Sequence, residues 1–324
     1  MRMGIISITA SWVAQIFHDY ALPLLLNLCV LFMLILAILM IIEGFGIIIS
    51  NHSPLTNAGN NWHEEVFILL LKMDYLNKYN ETHLIEAARK GYDRVVKILL
   101  GKDGIQVNQA TKSGQTPLIL ASYKGHDKIV EILLERKEIQ VNQANTKGVT
   151  PLIMAAHWGH TKIVEMLLEK EDIQVNQSQF QGATPLYYAA INGHNKIVEM
   201  LLEKEDIQVN QPDLQGATPL CFAAMKGHVK VVEILLKKEG IQVNMETNDG
   251  CTPLLIAAER GYDKVVKVLL KKEDIEVNQA DFAGLTPISE AAVRRNGTIV
   301  DLLLGTEEIR AIGWDGWRPI ATPG

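Results

Sequence analysis

Cysteine is scarce in this chain. Three occur in 324 residues, Cys29 in an apolar run and Cys221 and Cys251 in the body of the chain. That is no disulfide framework, so the body needs no oxidising compartment. A basic excess is missing as well. Lys and Arg number 31 against 37 Asp and Glu, a formal net charge of −6, and Lys and Glu are mixed along the chain. Such a chain lacks the basic stripe of a nucleic-acid binder. Catalytic motifs are wanting too. His63-Glu64-Glu65 lacks the second histidine of a zincin motif. Gly101-Lys102 has no phosphate-loop context, and no nucleophile stands in a recognisable relation to a base. The reading is therefore non-enzymatic, with no cofactor, no metal and no small-molecule substrate.

What the chain has in abundance is a period. Thr-Pro recurs every 34 residues, at Thr116, Thr150, Thr184, Thr218, Thr252 and Thr286. Thr82 holds the same phase one period earlier, followed by His83 instead of proline. A period of this size marks a stack of supersecondary units, each of which buries its apolar face on its neighbours. Threonine before proline predicts a helix start, because the hydroxyl oxygen accepts an orphan first-turn N–H and proline suits the first helical position. An apolar run follows, such as Leu152-Ile153-Met154-Ala155-Ala156. A glycine at 91, 125, 159, 193, 227 and 261 predicts a left-handed residue ending that helix. Asp127, Thr161, Asn195 and Asp263 are expected to cap a second helix, whose apolar residues fall at spacings such as Ile163, Met166 and Leu167. A polar stretch then ends in Val-Asn, and an extended hairpin with glycine near its turn returns to the next Thr-Pro.

The ordered set of glycine, Thr-Pro-Leu, Ala-Ala, Gly-His, Ile-Val, Leu-Leu and Val-Asn resembles the ankyrin repeat family over residues 80–304, as seven units. The resemblance implies an all-α solenoid of helix–turn–helix units with β-hairpin loops that binds protein partners. Residues 162–177 and 196–211 are identical to each other, the trace of a duplication. Two departures stand out. The family's histidine after Thr-Pro-Leu is replaced by Ile119, Ile153, Tyr187, Cys221, Leu255 and Ser289, which makes that contact mostly apolar. The stretch after the second helix is longer than usual and mostly lacks glycine, so a longer link replaces a tight left-handed cap. His126, His160, His194 and His228 share one phase. Stacked helices lie about 8–10 Å apart, whereas zinc gathers ligands at about 2 Å, so these histidines are read as turn residues.

The segments outside the repeat divide as 1–19, an apolar segment 20–49, a linker 50–61, a covering helix 62–79 and a tail 305–324. No residue from Tyr20 to Ile42 carries a formal charge, and about 20 apolar residues span a bilayer as a helix. Residues 21–42 are thus expected to meet a membrane as a single-pass anchor. The rival is a signal peptide cleaved near Gly44-Phe45-Gly46, which would release a secreted binding protein; the length of the apolar run favours the anchor. Arg2 weakly favours a cytoplasmic amino end, while the resemblance favours cytosolic repeats, so the side stays open. Residues 305–324 are expected to fold back over the last helices, because an uncovered apolar end invites association.

Partner contacts in this family come from hairpin tips and from the end of the first helix. The matching positions here carry Tyr123, His157, Trp158, Phe180, Ile191, Leu214 and Met225, where a merely solvated frame would hold polar residues. Tyrosine and tryptophan are favoured anchors of protein interfaces. A protein partner bound through the concave face is the function expected.

Overall fold

The chain divides into two compact units, residues 1–79 and 80–324. The computed structural model describes residues 80–312, with Glu64 and Ile68, both helical, in the first unit. The uncharged run, the linker, nearly all of the expected covering helix and residues 313–324 lie outside the described residues. Among the described residues, no helix is long and apolar enough to cross a membrane.

Residues 80–312 form helices and, among the described residues, no strand. Seven helix pairs follow one another: α1 (Asn80–Lys90) with α2 (Asp93–Leu100), α3 (Pro117–Lys124) with α4 (Asp127–Leu134), α5 (Pro151–Trp158) with α6 (Thr161–Leu168), α7 (Pro185–Ile191) with α8 (Asn195–Leu202), α9 (Pro219–Lys226) with α10 (Val229–Leu235), α11 (Pro253–Arg260) with α12 (Asp263–Leu269), and α13 (Pro287–Val293) with α14 (Gly297–Leu304). A short α15 (Glu307–Ile312) follows. First helices pack on first helices, second on second, and each pair on itself. The core is accordingly a continuous strip. Leu118, Ile119 and Ala121 of α3 and Ile129, Val130 and Leu133 of α4 are all buried, and the same phases are mostly buried in later units, Tyr187, Ile288, Ser289 and Val300 being partly exposed.

Each Thr-Pro does what its chemistry requires. Thr116 takes an extended backbone (φ −85°, ψ 163°), and its hydroxyl accepts from Ile119 N at 3.1 Å. The five later threonines repeat this bond. Such a cap contributes about 1 kcal/mol. The first unit departs from the pattern: without a proline after Thr82, α1 already begins at Asn80. Glycines end α3, α5, α9 and α11 in the left-handed region, for example Gly159 at φ 78°.

Two expectations need correction. The second helices are not capped by Asp127, Thr161, Asn195 or Asp263. Those residues are the first helical ones, and the cap positions are His126, His160, His194 and Tyr262, none with a side-chain cap bond. The loops are turns, not β-hairpins. In the loop at Asn145, Asn145 N–Val149 O (3.0 Å) and Gly148 N–Asn145 O (2.9 Å) close it, and one backbone bond, Phe180 N–Lys147 O (3.0 Å), joins its tip to the next. A single rung does not make a strand. Of the tail, only residues 305–312 are described. α15 packs on α14, and a Glu308 carboxylate oxygen accepts from Val277 N at 3.3 Å.

Candidate functional site

The site is a row of first-helix ends and hairpin tips, and its geometry depends on how units lock together. Three side-chain ladders do this. His126, His160, His194 and His228 each place Nε2 3.0–3.3 Å from a backbone carbonyl of the preceding unit, at Arg89, Tyr123, His157 and Ile191. Each ring also roofs the glycine that ends the earlier first helix. A Cβ built on Gly193 would stand 2.8 Å from the His228 ring, and Gly125 meets His160 at 2.6 Å. The second ladder is the asparagine of Val-Asn. Asn176 Nδ2 donates to Asp206 O (2.7 Å), and its Oδ1 accepts from Gln208 N (2.9 Å). Asn108, Asn142, Asn210 and Asn244 repeat both arms. The third is lysine. Lys170, Lys204 and Lys238 donate to the carbonyls of Leu134, Leu168 and Leu202 at 2.6–2.8 Å. Their charge meets the negative end of the preceding unit's second helix. This explains the missing glycine there: Glu135, Glu169 and Glu203 close those helices in right-handed geometry, with the lysine from the next unit taking up a final carbonyl.

On this frame the hairpin tips line up. Backbone bonds run from Thr146 N to Ser113 O, Phe180 N to Lys147 O, Leu214 N to Gln181 O, Asn248 N to Gln215 O, and Phe282 N to Asp249 O, at 2.8–3.2 Å. The glycine behind each tip is pressed on by the next tip. A Cβ on Gly182 would lie 2.9 Å from Asp213 Cα, whereas at Gly284, the last in the row, it would meet nothing within 4 Å.

Of the seven residues singled out from sequence, Trp158 (50% exposed), Phe180 (72%) and Leu214 (64%) project into solvent. Phe282, at 76%, continues the row of tips into the last unit. Tyr123 and His157 are half-buried in ring contacts. Ile191 and Met225 are half-buried against a cluster of Ala217, Cys221, Phe222 and Ile256, so they form floor and not projections. The aromatics of four units touch in succession. Ring centroids are 5.4 Å apart for Tyr123–Trp158, 5.0 Å for Trp158–His157, 4.8 Å for His157–Tyr188, 5.0 Å for Tyr188–Tyr187 and 4.3 Å for Tyr187–Phe222. All but the last, tilted pair meet edge to face, the arrangement ring quadrupoles prefer.

The run carries no charge at neutral pH. Burial pushes the Tyr187 hydroxyl up to about 12 and raises that of Tyr188. Burial, and then the nearby His194, hold His157 below the ordinary imidazole value. Tyr188 and Phe222 lay inside apolar helix runs and carried no separate signal in the sequence. Tyr187 was visible only as the substitute for a missing histidine.

Among family models, the one described as ankyrin repeats (3 copies) matches residues 104–179, 172–247 and 239–312. A search of curated proteins finds no match.

Proposed function

The chain belongs to the ankyrin repeat family, whose repeats are protein–protein interaction modules, and from that membership we propose that residues 80–312 hold a protein partner on the face built from first-helix ends and hairpin tips. The observation that carries this is the unbroken contact of aromatic rings from Tyr123 through Trp158, His157, Tyr188 and Tyr187 to Phe222, beside the exposed tips Phe180 and Leu214. Large rigid rings on such a platform bury much area at little entropic cost, and exposed apolar groups in a row mark interaction surfaces. Trp158 is the central anchor: half exposed and wedged between Tyr123 and His157, it has area left for a partner. No reaction is assigned. Capture of the partner with the full chain, followed by affinity measurement, tests the face. Trp158→Ala is expected to weaken binding by about 2 kcal/mol with an unchanged helical spectrum, and unchanged affinity in a folded variant overturns it.

We further propose that the uncharged run Tyr20–Ile42 tethers the array to a membrane as an uncleaved single-pass anchor. Its length favours this over a cleaved signal peptide. Mass spectrometry of the mature amino terminus separates the two, and protease protection assigns the side on which the array lies.

A further inference from the structure

The binding face is charged unevenly, and that unevenness names a class of partner. In the first three units its positions hold Arg89-Lys90, Lys112-Ser113, Tyr123-Lys124, Thr146-Lys147 and His157-Trp158. Arg89 is paired with Glu86. Lys90, Lys112, Lys124 and Lys147 have no carboxylate partner among the described residues, and the last three are exposed. The next positions, Phe180-Gln181, Ile191-Asn192 and Leu214-Gln215, are uncharged. Farther along, Lys226 stands alone, exposed and without a carboxylate partner among the described residues, and the remaining charge is largely cancelled: Arg294 bridges Glu259 (2.8 Å) and Glu290 (3.2 Å), and Arg260 lies 4.0 Å from Glu259. One end of the face is thus cationic in a chain whose net charge is −6. The cations adjoin the aromatic run. Lys124 Nζ sits 4.5 Å over the Tyr123 ring, which is 5.4 Å from Trp158, and Lys147 O accepts from Phe180 N at the neighbouring tip.

We propose that the occupant of this face is an extended protein segment in which acidic residues adjoin an apolar or aromatic stretch. Its acidic end lies over Lys112, Lys124 and Lys147, and its apolar end lies over Trp158, Phe180 and Leu214. This rests on the face assigned above and adds direction and composition to it. Charge complementarity carries the choice. Unpaired lysines in three successive units attract carboxylates and speed encounter, while the neutral middle admits apolar side chains without stranding a charge. A nucleic acid is the poorer fit, since its phosphates would run on past Lys147 over Phe180-Gln181, Ile191-Asn192 and Leu214-Gln215, which hold no cation, before meeting the single Lys226.

The experiment is selection of binders from a random 12-residue peptide display library on the full chain. Enriched peptides are expected to pair glutamate or aspartate with neighbouring apolar residues. A synthetic copy of one such peptide is expected to bind K112E/K124E/K147E about tenfold more weakly, because three exposed ion pairs of ordinary strength combine to about that factor. The loss is expected to shrink at 0.5 M salt and to reverse when lysines replace the peptide's acids. Circular dichroism checks that the variant is folded. Binders without acidic bias, or indifferent to the charge reversal, overturn the inference. If Trp158→Ala still weakens those binders, the face reading survives. If neither substitution matters, or the library yields no binder, both fall. Oligouridylate binding tighter than any selected peptide also overturns it, in favour of a nucleic acid.

Discussion

Gly182 and Gly284 occupy the same place in the same turn, and only one has a neighbour. Their φ angles are 85° and 81°. Alanine at either position pays for a left-handed backbone, about 1–2 kcal/mol, partly offset by a stiffer unfolded chain, about 0.4–1 kcal/mol. Gly284→Ala meets nothing further and is expected to cost about 1 kcal/mol. Gly182→Ala also sets a methyl carbon 2.9 Å from Asp213 Cα, 3.1 Å from Leu214 N and 3.2 Å from Asp213 C. Those are backbone atoms and no rotamer change relieves them. The tips must part, the Leu214 N–Gln181 O bond of 3.0 Å is lost, and overpacking adds about 1–3 kcal/mol. The expected total for Gly182→Ala is about 3 kcal/mol. Urea unfolding fitted with a nearest-neighbour scheme, which stacked repeats require, gives both numbers. Equal costs for the two substitutions, within about 0.5 kcal/mol, would refute the claim that the turn glycines are kept for the neighbouring tip as well as for their φ.

Other predictions follow from the ladders and from one buried group. Asn176→Ala removes both arms of its rung and should cost about 2 kcal/mol, while Asn278→Ala, which makes neither bond among the described residues, should be near neutral; denaturation midpoints compare them. Gly193→Val forces a branched residue into φ 73° and into the His228 ring, and its cost should fall by about 1 kcal/mol in a His228→Ala background, as read from a double-mutant cycle. His83 is held near 4 by burial and then by Lys102. The unfolded chain therefore takes up a proton near pH 6.5 that the folded chain refuses. Stability at that site is complete above pH 6.5 and falls as pH drops toward 4, by about 1.4 kcal/mol per unit. His83→Gln should flatten the acid limb between pH 6.5 and 4.5 by about 2–3 kcal/mol, and parallel limbs for the two proteins would refute it.

The helix starts were legible because a threonine cap and a first-turn proline act within four residues, and the chain repeats them. So was the left-handed glycine after the first helix. The second-helix caps were misread because an Asp or Asn at the first helical position looks, in sequence, like the residue before it. The ladders were hidden for a different reason. Asn176, Lys204 and His194 act on atoms 30–37 residues away, and no local rule reports on that distance. A faint signal existed: polar residues held at a fixed phase through five units have some reason to be there. The candidate face was half legible. Trp158 and Tyr123 stood at positions the resemblance marked, but Ile191 and Met225 turned inward, because a helix end that looks free in one unit is covered by the hairpin and first helix of the next.

The lysine ladder has a consequence for how the molecule comes into being. Lys170 completes the second helix that ends at Leu134, and Lys204 does the same for the helix ending at Leu168. On a ribosome, therefore, each of these helix pairs emerges with a final carbonyl still open. At about 5–20 residues per second, the 34 residues of a unit take about 2–7 s to arrive. Through this part of synthesis the growing end is the unfinished one: Lys170 and Lys204 each close the elder helix before the residue that closes their own, Lys204 and Lys238, has been made.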